Sequence, residues 1–204
     1  MSLIRNMRQH GRPRGLRRVR LRLPWTTIAL LLIIAPWDAA LAQTAGQGVI
    51  DREYSIKAAF LYHFCTYVEW PAPVMPVEGK PFVIGIFYAD PFGAVLDDIA
   101  RTKNVAGRPI AIRRLKSTND LAGCHLLFIP RTTPPDQQDA VLQAIHGLPL
   151  LVVGEADDFI ARGGGALFFV EGNKVRFAFS AEVAQENQLK ISSKLLSLAK
   201  IVAR

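Results

Sequence analysis

The chain has 204 residues, half of them hydrophobic, with 25 basic against 17 acidic side chains and a formal net charge of +8. Eight of the arginines lie in the first 23 residues, which hold no acid; setting those arginines and Asp38 aside leaves 17 basic against 16 acidic residues. The basic character therefore belongs to the leading segment, and a nucleic-acid partner, which needs a basic face on the folded domain, is excluded.

The leading segment runs from its arginines into Ile28–Ala35 (IALLLIIA) and then Ala40-Leu41-Ala42. A positive region, a short apolar run and a small-x-small site form the order of a cleavable secretory signal. A spanning helix needs about 20 apolar residues, and Pro36 and Asp38 interrupt this run early. The reading is a signal peptide over 1–42 and export to the periplasm. Residues 43–50 (QTAGQGVI) read as a linker, and 51–204 as one α/β domain of a size able to bury a core. Cys65 and Cys124, the only cysteines, would meet an oxidising compartment after export, so they are candidates for a disulfide, with two buried thiols as the alternative.

In the domain, Ala59, Phe60, Phe64, Tyr67 and Val68 recur at helical spacing, so 51–69 reads as a helix ended by Trp70-Pro71. After a proline-rich loop at 71–76, Phe82–Tyr88 (FVIGIFY) has the pattern of a buried strand. A helix from Asp90-Pro91 to about Ala100, strands at 110–115 and 125–130, a helix over 134–147 and a strand at 150–153 follow. Their alternation argues for a largely parallel sheet covered by helices, a three-layer sandwich. Ala166–Val170 and Lys174–Ser180, joined by Glu171-Gly172-Asn173, read as a β-hairpin that makes the sheet mixed. Ile191, Leu195, Leu198 and Val202 fall on one face of an expected C-terminal packing helix.

No catalytic template fits these residues, and no cofactor or metal is expected. Outside the leader, His63, His125 and His146 lack zincin spacing, and two lone cysteines cannot complete a four-ligand zinc site. Neither a Gly-x-Ser-x-Gly elbow nor a phosphate loop occurs. Gly163-Gly164-Gly165 precedes a strand rather than a helix, which favours a tight turn over an anion cradle. Asp97-Asp98 and Asp157-Asp158 read as solvated faces. Exposed aromatic or charged chemistry beside constrained turns selects Tyr62, Glu69, Trp70, Arg162 and Gly163 as candidate partner-binding residues.

Lys57-Ala58-Ala59-Phe60-Leu61-Tyr62-His63-Phe64, followed by Val68-Glu69-Trp70-Pro71, resembles the opening signature of the YfiR-like periplasmic proteins. The similarity continues through Gly107-Arg108-Pro109-Ile110, Gly123-Cys124-His125, Phe159 with Gly163-Gly164, and Leu189-Lys190-Ile191-Ser192-Ser193-Lys194-Leu195-Leu196. The resemblance implies a mixed α/β sandwich that restrains an inner-membrane diguanylate cyclase through its periplasmic sensor region. It also implies an outer-membrane lipoprotein that can capture the repressor; a homodimer is a further expectation. A small soluble protein can act this way by binding one conformation of the sensor more tightly. His63 and Ser180 stand where this family commonly has asparagine. Phe159 and Ala166 occupy the neighbourhood where its best-known member has a cysteine pair, so redox control through that bridge does not carry over. A periplasmic small-molecule receptor, with a cleft at the carboxyl ends of the parallel strands, is the alternative function.

Overall fold

The computed structural model describes residues 37–203, with side chains from residue 52 onward. The arginine-rich and apolar parts of the leader, residues 1–36, lie outside the described residues. The chain divides into two units, 1–44 and 45–204, and the fold described here is that of the second.

Helix α1 spans Trp37–Tyr67, so its backbone passes through 43–50, where the sequence suggested a linker. A helix already nucleated and packed further along gains one hydrogen bond per added residue, which carries it through this stretch despite the cost of Gly46 and Gly48. Its buried face consists of Lys57, Ala58, Leu61, Phe64 and Cys65, with Ala59 outside. That stripe is rotated from the expected one because it includes a lysine, whose place in the interior is explained below.

The strands are β1 (Val68–Glu69), β2 (Phe82–Phe87), β3 (Asn104–Val105), β4 (Arg108–Leu115), β5 (Leu126–Ile129), β6 (Leu151–Gly154), β7 (Ala166–Glu171), β8 (Lys174–Phe179), β9 (Lys190–Ile191) and β10 (Lys200–Ile201). The remaining helices are α2 (Ala94–Thr102), α3 (Pro135–Ala144), α4 (Ala181–Glu186) and α5 (Ser193–Leu196). The main sheet has the order β10-β8-β7-β6-β5-β2-β4-β3. Strands β4, β2, β5, β6 and β7 run parallel, whereas β7–β8 and β3–β4 are antiparallel. The chain winds outward from β2 to β4, then returns past β2 to β5, the doubly wound pattern with a switch point between β2 and β5. The sheet is mixed and largely parallel, as expected, and carries the β7–β8 hairpin toward one edge, with β10 outside it. Gly172 and Asn173 carry the turn with φ of 55° and 60°, the positive values that a two-residue hairpin loop requires.

Burial on both faces sorts side chains by alternation. Ile84, Ile86, Leu126, Phe128, Leu151 and Val153 join the core beneath α1 and α2. Leu127, Ile129 and Val152 join the opposite core, beneath Val141, Leu142 and Ile145 of the α3 segment. An aromatic group knits the first core, with Phe64 stacked on Phe168 at 5.5 Å and edge-on to Phe177 and Phe179 at 5.1 Å each.

The C-terminal segment departs from the expected single helix. Residue Ile191 pairs with Val68 in a two-stranded ribbon, α5 is one turn capped by Ser192, and β10 joins the main sheet beside β8. Apolar spacing alone did not reveal that the backbone here would find sheet partners. Leu195 is buried while Leu198 is 65% exposed. Leu195→Ala is therefore expected to cost about 2–5 kcal/mol and Leu198→Ala to stay within about 0.5 kcal/mol, a contrast that urea denaturation reads directly.

Candidate functional site

At the carboxyl edge of the sheet, beside the switch point, Glu155 follows β6 and is 1% exposed at its side chain. Its carboxylate receives Lys57 of α1, which also meets Glu53 one turn earlier. Tyr54 Oη donates to Glu155 Oε2 at 3.2 Å, and the Arg131 backbone N–H donates to the same oxygen at 2.8 Å. The Lys57 ammonium also lies 4.6 Å from the Tyr54 ring centroid. Burial, followed by the charge of Glu155 and the hydrogen bond to it, pushes the Tyr54 phenol well above its ordinary range, so it remains the protonated donor. A buried charge is tolerable only when paired and hydrogen-bonded, and here both members are.

At the amino edge, His125 precedes β5. Its Nδ1 accepts from the Val83 N–H at 3.0 Å, while Nε2 lies 3.0 Å from the Val74 carbonyl and therefore carries the proton. The ring stacks on Phe82 at 4.4 Å. Burial lowers its pKa below the usual histidine value, with the backbone contact to Val74 opposing. Its carbonyl accepts the Trp70 indole N–H at 3.0 Å.

Trp70 is thus only 8% exposed and edge-on to Phe82 at 5.0 Å. The expectation of an exposed aromatic anchor is corrected: the indole supplies a donor for a carbonyl at the sheet's end, and its ring covers the start of β2. Glu69 is exposed, paired in β1 opposite Lys190. Tyr62 is half-buried and packs against the core under α1. Arg162 bonds within the domain, to Asp139 at 2.8 Å and to the Pro135 carbonyl at 3.1 Å, with Asp158 at 3.4 Å. Its neighbour Gly163 has φ of 105°. Glu69 and Trp70 line one depression, and Arg162 and Gly163 line another.

The glycine cluster is explained by packing. A Cβ on Gly164 would stand 2.2 Å from the Phe159 ring, and one on Gly154 would stand 2.5 Å from it. The ring therefore lies directly on two backbones.

Both cysteines are free thiols. Cys65 belongs to the core under α1 and Cys124 packs with the opposite core, so the sheet separates them and the Cys65–Cys124 disulfide does not form. Burial pushes both thiols up, opposed at Cys124 by the charge of Arg113.

Sequence reasoning missed the Lys57–Glu155 pair. One signal was present: a lysine within an otherwise apolar helix face, for which a buried acid elsewhere is the physical requirement. Among the described residues, no group of three His, Cys, Asp or Glu is placed to hold a metal ion, and no helix is long and apolar enough to cross a membrane.

These features define a doubly wound, mixed α/β domain whose first helix is held by polar contacts at both edges of its sheet. The chain belongs to the YfiR/HmsC-like family, whose model matches residues 54–200. That family consists of periplasmic regulators of diguanylate cyclases rather than enzymes. No curated protein matches. Among solved structures, the chain is similar to the ABC domain in complex with L-Trp from Streptococcus pneumonia, with 14% identity, TM-score 0.43, and coverage of 59% of this chain and 55% of that one. It is also similar to a conserved domain protein from Vibrio cholerae O1 biovar eltor, with 13% identity, TM-score 0.41, and coverage of 58% and 54%. The chain spans about half the length of these two structures, and neither likeness bears on function.

Two outcomes follow from the polar contacts. Lys57→Met or Glu155→Gln, each leaving a buried polar partner unmatched, should cost about 3–5 kcal/mol, and the combined Lys57→Met/Glu155→Gln variant should lose less than the sum of the two single losses. A double-mutant cycle by chemical denaturation measures this. For His125, the folded pKa lies below the unfolded value of about 6.5. The neutral ring's stability contribution is then complete above that value and is lost as pH falls toward the lowered folded pKa. Urea unfolding at pH 7.5 and 5.5 should show a smaller loss on acidification for His125→Gln than for the unsubstituted chain.

Proposed function

We propose that this protein is a periplasmic negative regulator that binds the sensor region of an inner-membrane diguanylate cyclase and restrains cyclic-di-GMP synthesis. The observation that carries the reading is membership of the YfiR/HmsC-like family across residues 54–200. Residues 1–42 act as a cleaved secretory signal, and 51–204 form the regulatory domain, with α1 beginning upstream of that boundary.

Regulation of this kind needs only differential affinity. Binding the low-activity conformation of the sensor more tightly shifts the cyclase toward it, and an outer-membrane lipoprotein that captures the repressor reverses the shift. A rigid contact surface lowers the ordering cost of binding. The polar contacts at the two ends of the Lys57–Trp70 stretch support such rigidity for the face bearing Tyr62 and the adjoining Glu69. On this reading Tyr62 and Glu69 contribute to the cyclase contact, whereas Arg162 and Gly163 belong to a turn held against α3, the helix that covers the other core.

Deleting the gene should raise cellular cyclic-di-GMP and biofilm formation. Glu69→Gln should weaken co-purification with the cyclase while leaving the melting temperature nearly unchanged. Unaltered cyclic-di-GMP in the deletion strain would overturn the proposal.

A further inference from the structure

A second feature of the amino edge is a cleft of about 460 Å³ between the 3-10 turn at Thr118–Asp120 and the Leu148–Leu150 segment. Its volume lies within the range typical of small-molecule sites. Val74, Leu121, Leu148 and Leu150 make its apolar walls, and Asn119 and the Cys124 thiol are among its few polar groups. Leu148 is 47% exposed, so an apolar wall of the cleft stands in water.

Charge separates this cleft from the other depressions described. The groove beside α5 has Lys194 in its lining, the cavity at Arg162 has Asp139 and Glu186, and the depression at Glu69 has Lys190. The amino-edge cleft is lined by no Asp, Glu, Lys or Arg. His125 contributes to its lining, but both ring nitrogens are committed to Val74 and Val83. The Arg113 guanidinium lies against the Ala122–Cys124 part of the lining, but its two terminal nitrogens donate to the Ala122 and Asp120 carbonyls, so a charged guest would lose its hydration without gaining a free hydrogen-bonding partner. An uncharged apolar guest would instead remove the walls from water at a gain of roughly 25 cal/mol per Å².

We propose that this cleft is a binding site for an uncharged, largely apolar small molecule. It lies at the edge opposite the one that strand topology selects for a ligand. The carboxyl edge is filled by Lys57, Glu155 and Tyr54, which satisfy one another and leave their polar atoms engaged. The Val74 carbonyl, held by His125, belongs to the loop that follows Trp70-Pro71, so a guest against Val74 touches the segment adjoining Glu69.

The test uses the exported form of the protein and the uncharged fluorophore N-phenyl-1-naphthylamine. Its fluorescence should rise saturably, and its presence should slow iodoacetamide alkylation of Cys124, followed by mass spectrometry. Leu148→Asp, at an exposed position, should raise the dissociation constant about tenfold or more, equivalent to 1.4 kcal/mol. Leu198→Asp, in the groove beside α5, should leave it unchanged. The anionic 1-anilinonaphthalene-8-sulfonate should bind at least about tenfold more weakly than the neutral probe. The proposal is overturned by an absence of saturable binding, by unaltered Cys124 alkylation, by loss of binding in Leu198→Asp rather than Leu148→Asp, or by equal affinity for the anionic probe.

Discussion

The buried pair between Lys57 and Glu155 is the contact on which the arrangement of α1 depends. A lysine in an apolar helix face has one stable solution, an acid that reaches it inside the protein, and the acid here comes from the chain just beyond β6. That requirement fixes both the rotation of α1 and the part of the sheet it crosses. Alternative apolar stripes of similar hydrophobicity would bury the helix nearly as well, but only this one satisfies the ammonium. Tyr54 and the Arg131 backbone then complete the acid's hydrogen bonding, so the edge is closed by groups that need one another.

The far end of the same stretch is held by different chemistry. Trp70 donates to the carbonyl of His125, and His125 ties the start of β2 to the Val74 loop through its two ring nitrogens. One end therefore relies on full charges and the other on neutral dipoles. Between them Ala58, Leu61, Phe64 and Cys65 pack on the aromatic core. A stretch restrained at Lys57 and at Trp70 over a two-faced sheet presents its outer surface in a fixed orientation, as the proposed recognition of one sensor conformation would require. The amino-edge cleft is lined by no acidic or basic side chain, whereas the carboxyl edge is closed by a buried ion pair.

Much of the strand pattern was legible without coordinates, because strands buried on both faces read as short continuous apolar runs. Phe82–Phe87, Leu126–Ile129 and Leu151–Gly154 fall within a residue or two of the runs that announce them. The hairpin was equally plain, since Gly172-Asn173 tolerates the positive φ that its turn demands. Trp70 and Arg162 show where such reading stops. Their residue types suit an exposed binding surface, but the indole N–H and the guanidinium each found partners distant in sequence, His125 in one case and Asp139 in the other.

The sequence by itself determined the class of fold, the alternation that buries both faces of the sheet, and the motifs by which the family is recognised, because periodicity and turn chemistry act over a few neighbouring residues. Only the tertiary structure decided the separation of Cys65 from Cys124, the breaking of the C-terminal stripe into β9, α5 and β10, and the pairing of Lys57 with Glu155. The reason is physical in each case. A sheet between two thiols, an available strand edge, and a buried charge's need for its opposite are all set by segments about 20 to 120 residues away along the chain, and local pattern carries no record of which distant segment will arrive.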